Sequence, residues 1–149
     1  MSGPTPTVVT VEERGDGKFT QSLHSGPHQL VADEPEAFGG SNLGPGPYEY
    51  LLMALGACTN MTIRMYADRN NIPLKRVRVI LSHQKVHAQD CADCATGEGK
   101  VDEIVREITL EGQLTGEQRG RLLDIANRCP VERTLTSEIK IRSRLSSAS

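Results

Sequence analysis

The sequence predicts an α+β domain in which helices pack on antiparallel strands. Strand-like and helix-like segments are segregated along the chain instead of alternating, which is typical of this class. One apolar helix is much longer than the other elements. The 149 residues are the length of one domain that can bury a core, so we expect a single domain over residues 1–149. Since one small sheet cannot cover so long an apolar helix, a homodimer is expected as well.

The first third of the chain predicts an antiparallel meander. Valines favour extended structure in the first segment, and glycines supply the positive φ that tight turns need. The three predicted strands are Thr7–Glu13, Phe19–His24 and His28–Ala32.

The central segment predicts a long helix. Residues Glu34–Pro47 are rich in Gly and Pro and form neither helix nor strand, while Pro47 suits a first helical turn because its missing N–H has no partner there. Apolar spacing of three and four residues continues from Tyr48 to Asn70, roughly 35 Å of helix, and Pro73 prevents its continuation.

The last part of the chain predicts two long strands, a second helix and a final strand. Alternation places Val77, Val79 and Leu81 on one face of the first strand. Thr115 and Gln118 form a capping box, which starts a helix that ends near Arg128. Leu122, Leu123, Ile125 and Ala126 are predicted to face inward. The predicted segments are strands Leu74–His87, Val101–Gly112 and Glu138–Leu145, a CxxC-containing loop insertion over about residues 88–100, and a helical turn from Pro130.

Composition excludes several classes of protein. A net charge of −2 gives no electrostatic basis for nucleic-acid binding. Residues Met1–Pro6 lack the basic and apolar regions of a secretory signal, and no apolar run reaches the ~20 residues that span a bilayer. We therefore expect a cytoplasmic protein, where cysteines are catalytic, metal-binding or simply buried more often than they are structural disulfides.

Two cysteines lie in unlike settings and suggest sulfur redox chemistry. Cys58 lies inside the long apolar helix, and Cys129 lies at a helix end before Pro130. A thiol in apolar surroundings has a raised pKa, so Cys58 needs a cation to become nucleophilic. The sequence leaves open whether Arg14, Arg64, a histidine or a second subunit supplies it.

The residues around both cysteines resemble the OsmC/Ohr family of thiol-dependent hydroperoxide reductases. The resemblance rests on Gly44–Glu49, on Leu51–Cys58 and on Cys129-Pro130-Val131. It implies an OsmC-like fold with a long central helix and an intertwined homodimer whose active sites lie at the subunit interface. It also implies that Cys58 is peroxidatic, that Cys129 is resolving and that Glu49 organises the site.

One family feature is missing from its expected place. The family has an arginine before the Gly/Pro-rich loop, but here no arginine occurs between Arg14 and Arg64. The nearest substitutes are His24 and His28, which become the candidate thiolate-stabilising residues.

The loop insertion holds a second pair of cysteines. His83, His87, Cys91 and Cys94 are zinc-type ligands, but two histidines four residues apart on a strand are ~13 Å apart, so His87 with the CxxC is the easier metal set. Three interpretations stay open: a partial metal site, a redox pair that relays electrons, and an exposed loop tip.

The sequence thus predicts a peroxidase that reduces organic hydroperoxides through Cys58 and Cys129. It would need no cofactor or metal, and an external dithiol reductant would reopen the disulfide. The alternative is a non-catalytic OsmC-like protein that binds a small molecule or senses redox state, and a zinc-dependent structural protein is a third possibility.

Overall fold

The computed structural model describes residues 5–147 and has the predicted α+β architecture of antiparallel sheets and a long helix. The chain divides into two compact units, with the boundary between Leu51 and Leu52. Part of the N-terminal hexapeptide (residues 1–4) and the last two residues (148–149) lie outside the described range. Within that range no helix has the length and apolar character needed to cross a bilayer.

The first unit is built around the predicted meander. Its strands are β1 (Thr10–Glu13), β2 (Gln21–Ser25) and β3 (His28–Ala32), paired antiparallel in the order β1-β2-β3. Strands β1 and β2 begin later than predicted, because the ladder between them runs only from the Thr10–His24 pair to the Glu13–Gln21 pair. Gly26, at φ +56°, occupies the tight turn between β2 and β3.

A buried carboxylate organises the loop that follows β3. Asp33 is 2% exposed and accepts hydrogen bonds from the Thr20 hydroxyl (2.9 Å) and from the backbone N–H groups of Glu34, Ser41 and Leu43 (2.8–3.4 Å). Burial by itself raises the pKa of this carboxyl, but the hydrogen bonds outweigh burial and hold the pKa below its ordinary value. Asp33 therefore fixes the Gly/Pro-rich loop as an acceptor in its ionised form.

Helix α1 (Pro47–Arg69) begins in the first unit and continues through the second, within one residue of its predicted bounds. It ends as predicted before Pro73. Asn71 takes a left-handed conformation at φ +51°, and the N–H of Ile72 donates to the carbonyl of Ala67 at 2.9 Å. These contacts satisfy carbonyl groups that the last helical turn would otherwise leave unpaired.

The second unit packs α1 on a two-stranded antiparallel hairpin of β4 (Leu74–His87) and β5 (Lys100–Gly112). Val77, Val79 and Leu81 are half-buried and alternate with exposed residues, which confirms the predicted face. Their cross-strand partners are Leu110, Ile108 and Arg106. The buried core of this unit consists of Ile63, Ala67, Leu74, Leu122 and Ala126.

Helix α2 (Gly116–Ala126) starts with the predicted capping box. Thr115 accepts from the N–H of Gln118 at 3.1 Å, and the Gln118 side chain accepts from the N–H of Thr115 at 2.9 Å. The inward positions are confirmed for Leu122, Ile125 and Ala126, but the prediction for Leu123 is wrong, since it is 53% exposed. Leu123 directly follows the fully buried Leu122, and neighbouring residues of a helix point about 100° apart.

Helix α3 (Pro130–Leu135) follows α2 after a short turn that contains Cys129. The predicted final strand Glu138–Leu145 is wrong for the single chain, because these residues pair with no strand in the described structure. Their apolar side chains are open to solvent, with Ile141 and Leu145 88% and 96% exposed. A strand needs a neighbour to accept its ladder bonds, and a lone extended segment has none.

Candidate functional site

Gly56 determines how closely helix α1 approaches the β4–β5 hairpin. A Cβ at this position would lie 2.8 Å from Leu81 Cδ1 and 3.5 Å from Val79 Cγ1, so glycine is what permits the close approach. Cys58 follows two residues later, and Leu81 pairs with Arg106 across the hairpin. The contact therefore brings the Cys58 segment of α1 against the middle of the hairpin.

The two candidate catalytic cysteines meet although 70 residues separate them in the sequence. The Cys129 thiol donates a hydrogen bond to the Cys58 sulfur, and both are free thiols. The Cys58 sulfur also accepts from the backbone N–H of Val131 and from the Thr62 hydroxyl. The Val131 N–H is available because it lies in the first turn of α3, where a helix has no internal acceptors.

The environments of the two thiols push their pKa values in opposite directions. For Cys58, burial raises the pKa, but the hydrogen bonds from Cys129, Val131 and Thr62 and the charge of Arg106 together lower it below its ordinary value. For Cys129, burial and the hydrogen bond given to Cys58 raise the pKa. Cys58 is half-buried and Cys129 is completely buried. The arrangement gives one accessible, more acidic thiol beside one shielded, protonated thiol.

Arg106 is the cation that the fold brings to Cys58. Its Nη1 donates to Thr59 Oγ1 at 2.9 Å and to the carbonyl of Ala126 at 3.1 Å, and its Nη2 donates to Asn127 Oδ1 at 3.1 Å. Nη2 also lies 3.1 Å from Glu132 Oε2, with side-chain exposures of 12% and 26% for the pair. That carboxylate oxygen is buried and has no hydrogen bond within the described residues, so the ion pair is what balances its charge. Arg106, on β5, thus contacts α1, the end of α2 and α3.

Glu49, His24 and His28, which the sequence also predicts as site residues, are in the first unit. Glu49 is exposed, and its Oε1 accepts from the N–H of Gly46 at 3.3 Å, which caps the first turn of α1. His24 lies half-buried on β2, and His28 is exposed at the start of β3. The roles of Glu49 in organising the site and of both histidines in stabilising the thiolate stay predictions. Arg64, another candidate cation, donates to the carbonyl groups of Leu74 and Lys75.

The cysteines of the loop insertion form a disulfide, Cys91–Cys94, with their Cα atoms 5.5 Å apart. Together with Asp93 they make up a group whose potential ligand atoms lie within 4.8 Å of one another, and His87 is not a member of this group. A structural zinc site has four ligands and binds cysteine as a thiolate, whereas the sulfurs of a disulfide are not thiolates. The described group therefore does not suit zinc in this redox state.

Sequence reasoning missed Arg106, Thr62 and Val131 as partners of Cys58. One signal was present: Arg106 occupies a position of the apolar row Ile104, Ile108 and Leu110 along β5. A charged residue inside such a row indicates a buried partner. Nothing in the sequence shows that this partner lies on another element.

Comparisons with known proteins agree with this fold. The profile of the family described as OsmC-like protein matches residues 39–144. No curated protein is similar enough to the sequence to count as a match. A protein from Psychrobacter arcticus has a TM-score of 0.68 at 18% identity, with 90% of this chain and 91% of that chain covered.

Two further crystal structures carry functional names. One is the organic hydroperoxide resistance protein OsmC from Legionella pneumophila (TM-score 0.63, 17% identity, 91% of this chain and 92% of that chain). The other is an organic hydroperoxide resistance protein from Elizabethkingia anophelis (TM-score 0.63, 17% identity, 94% of each chain). At these identities the likeness establishes the fold alone.

Proposed function

Since the chain belongs to the OsmC-like family, we propose that it reduces organic hydroperoxides, with Cys58 as the attacking thiolate and Cys129 as the resolving thiol. One observation carries the proposal: the half-exposed Cys58 sulfur accepts a hydrogen bond from the buried Cys129 thiol. The accessible sulfur is the one with the lowered pKa, and its neighbour keeps a proton and is shielded from direct oxidation.

The chemistry balances with these two thiols and an external reductant. The Cys58 thiolate attacks the peroxide oxygen that is not bonded to carbon, and the alkoxide leaves and takes a proton to become the alcohol. Cys58 is then a sulfenic acid. The Cys129 sulfur attacks it, water leaves, and a Cys58–Cys129 disulfide forms. A dithiol reductant reopens this bond by exchange, and no cofactor or metal takes part in any of these steps.

The remaining site residues support this cycle. Arg106 contributes positive charge near Cys58 and fixes the segment that carries Cys129. Glu49 is proposed as a positioning residue because the segment Gly44–Glu49 resembles the family. The substrate class follows from the names of the relatives from Legionella and Elizabethkingia, both organic hydroperoxide resistance proteins. A dithiol-dependent cycle fits a reducing compartment, and a cytoplasmic location is part of the proposal.

A homodimer belongs to the same proposal, and the surface of α1 supports it. One row of the helix, Leu55, Thr59, Ile63 and Ala67, is buried, while the opposite row, Met53, Ala57, Met61 and Met65, is exposed. A helix that is apolar on opposite faces needs cover on both. A second copy can supply this cover, and it can also pair with the extended segment Glu138–Leu145. Light scattering on the purified protein would measure the dimer, and Met61→Glu is expected to weaken it, with Gln113→Glu, at an exposed position, as a control that adds the same single negative charge.

The proposed activity is tested by following hydroperoxide consumption and cysteine oxidation together. Wild type with cumene hydroperoxide and a dithiol should turn over and form the Cys58–Cys129 disulfide. Cys58→Ser should abolish consumption, while Cys129→Ser should leave Cys58 as a sulfenic acid that a dimedone label captures. A folded wild type with thiols unreactive towards hydroperoxide would contradict the proposal and favour a non-catalytic binding or sensing protein.

A further inference from the structure

The loop between β4 and β5, residues 88–99, is longer than the hairpin requires. His87 and Lys100 are already paired, and such a pair can be joined by about two to five residues. The loop holds both remaining cysteines, which form the Cys91–Cys94 disulfide. This bond joins residues only three positions apart inside a hairpin that the strand ladder already closes. A crosslink of that kind adds little to stability, because it removes little freedom from the unfolded chain.

The disulfide borders a groove that runs along β5 as far as Arg106, a residue that contacts the segments of both Cys58 and Cys129. This β5 groove has a volume of about 610 Å³, and its walls include Cys91 and Cys94 as well as Arg106 and Asn127. Arg106 donates to Thr59, the residue after Cys58, and also to Asn127, which lies two residues before Cys129. The second cysteine pair and the residues that hold the first pair therefore share one solvent-filled space.

From this shared groove we infer that Cys91 and Cys94 are a second redox pair, which takes over the disulfide from Cys58 and Cys129. The inference rests on the proposed function for its oxidant. One thiolate of the reduced Cys91/Cys94 pair attacks the Cys58–Cys129 bond and forms a mixed disulfide. The other thiolate then attacks the mixed disulfide, so that Cys58 and Cys129 leave as thiols and the Cys91–Cys94 bond forms. Two electrons move, each thiol that reacts gives its proton to a sulfur that leaves, and an external dithiol afterwards reduces Cys91–Cys94.

The two cysteine pairs differ in their bonding and in their exposure. Cys58 and Cys129 are thiols, whereas Cys91 and Cys94 are bonded. Both loop sulfurs belong to half-buried residues, so an external reductant can reach them, while Cys129 is fully buried. Both sulfurs of the loop pair are thus open to attack by another molecule, whereas in the first pair only Cys58 is.

The length of the loop is sufficient for the exchange. Lys100 to Arg106 along β5 covers about 20 Å, because a strand rises about 3.3 Å per residue. Lys100 to Cys94 along the loop contains the same number of residues and reaches about 20 Å when extended. Folded back along the β5 groove, the loop can therefore bring Cys94 to the level of Arg106.

The experiment traps the mixed disulfide in the loop variant that keeps only Cys94. Cys91→Ser retains the sulfur that can reach the level of Arg106 and lacks the one that would complete the transfer, whereas Cys91, four residues after the paired His87, is too close to the strand end to reach that far. Reduced protein receives one equivalent of cumene hydroperoxide or, in a second arm, of diamide, which oxidises thiol pairs without any peroxidase activity. Peptide mass spectrometry under non-reducing conditions is expected to find the remaining loop cysteine joined to Cys58 or Cys129 within one chain. Ala92→Ser is the matched control, since it alters the same loop and keeps both sulfurs, and it should form Cys91–Cys94 as wild type does.

The two arms separate the inference from the proposed function. A mixed disulfide with diamide but none with hydroperoxide supports the relay and overturns the peroxidase. A Cys58–Cys129 disulfide that persists in wild type in either arm, beside thiols at Cys91 and Cys94, overturns the relay. Under steady turnover with limiting dihydrolipoamide, the Cys91→Ser/Cys94→Ser variant is expected to lose at least about tenfold in rate relative to Ala92→Ser. Equal rates would also overturn the relay.

Discussion

Arg106 makes two contributions: its positive charge lies near Cys58, and it neutralises the buried carboxylate of Glu132. The substitution Arg106→Met removes both, and their effects can be measured separately. The substitution keeps a long apolar stem but removes all the donors of the guanidinium. It leaves Glu132 Oε2, which is buried and has no hydrogen bond among the described residues, without its 3.1 Å partner. Removing one member of a fully buried ion pair costs about 3–5 kcal/mol. Because these side chains are 12% and 26% exposed, we expect a smaller loss of about 2–3 kcal/mol in the free energy of unfolding.

The effect on Cys58 has a distinct dependence on pH. Arg106 helps to lower the pKa of Cys58, so its loss raises that pKa and reduces the thiolate fraction at neutral pH. The Arg106 charge contributes less than any of the three hydrogen bonds does, and the rate of Cys58 alkylation at pH 7 should therefore fall only a few-fold. Above about pH 10 the thiol ionises in both proteins, so the two rates should converge.

The assay combines urea unfolding with iodoacetamide labelling of Cys58, followed by peptide mass between pH 6 and 10. Glu132→Gln and the double variant Arg106→Met/Glu132→Gln complete a mutant cycle. We expect a coupling energy of about 1–3 kcal/mol in stability, while the double variant keeps the slow labelling of Arg106→Met. Additive stability losses, or a labelling ratio that stays constant with pH, would refute the electrostatic role given to Arg106.

Three further predictions concern the stability of the fold. Gly56→Ala should lower the free energy of unfolding, measured in urea titrations, by about 1 kcal/mol, because the clash with Leu81 outweighs the ~1 kcal/mol that alanine gains in a helix. A more stable variant would show that Leu81 can move aside. Thr115→Ala should cost about 1 kcal/mol through the lost cap and leave the labelling rate of Cys58 unchanged, whereas a change in that rate would contradict a purely structural role for the cap. Folding lowers the pKa of Asp33, so this carboxylate stabilises the fold at pH values above 3.8, the ordinary pKa of the group. The stabilisation is lost as the pH falls through the lower pKa of the folded state. The melting temperature of wild type should therefore fall on acidification below about pH 4. Asp33→Asn should have a lower melting temperature at neutral pH and a smaller decrease below about pH 4. Equal decreases in the two proteins would be inconsistent with this assignment.

The elements that depend on local spacing could be predicted from the sequence. The apolar periodicity gave α1 to within one residue at each end, and the capping box at Thr115 fixed the start of α2. Alternation along β4 identified its half-buried face. Each of these features depends on residues a few positions apart, where backbone geometry alone determines which side chains are neighbours. The final strand Glu138–Leu145 was predicted in the same way and failed, because a strand also requires a partner that its own residues do not specify.

The two cysteines of the candidate site could be predicted from the sequence, but the cation beside them could not. Resemblance to a family singled out Cys58 and Cys129, and the tertiary structure makes the two thiols hydrogen-bond partners. The sequence left the source of the cation open among Arg14, Arg64, a histidine and a second subunit, but the structure supplies Arg106 from β5, 48 positions after Cys58. The pairing of Leu81 with Arg106 and the close approach at Gly56 create that contact. Local periodicity determines which face a residue lies on, whereas the packing of one element on another decides what that face meets.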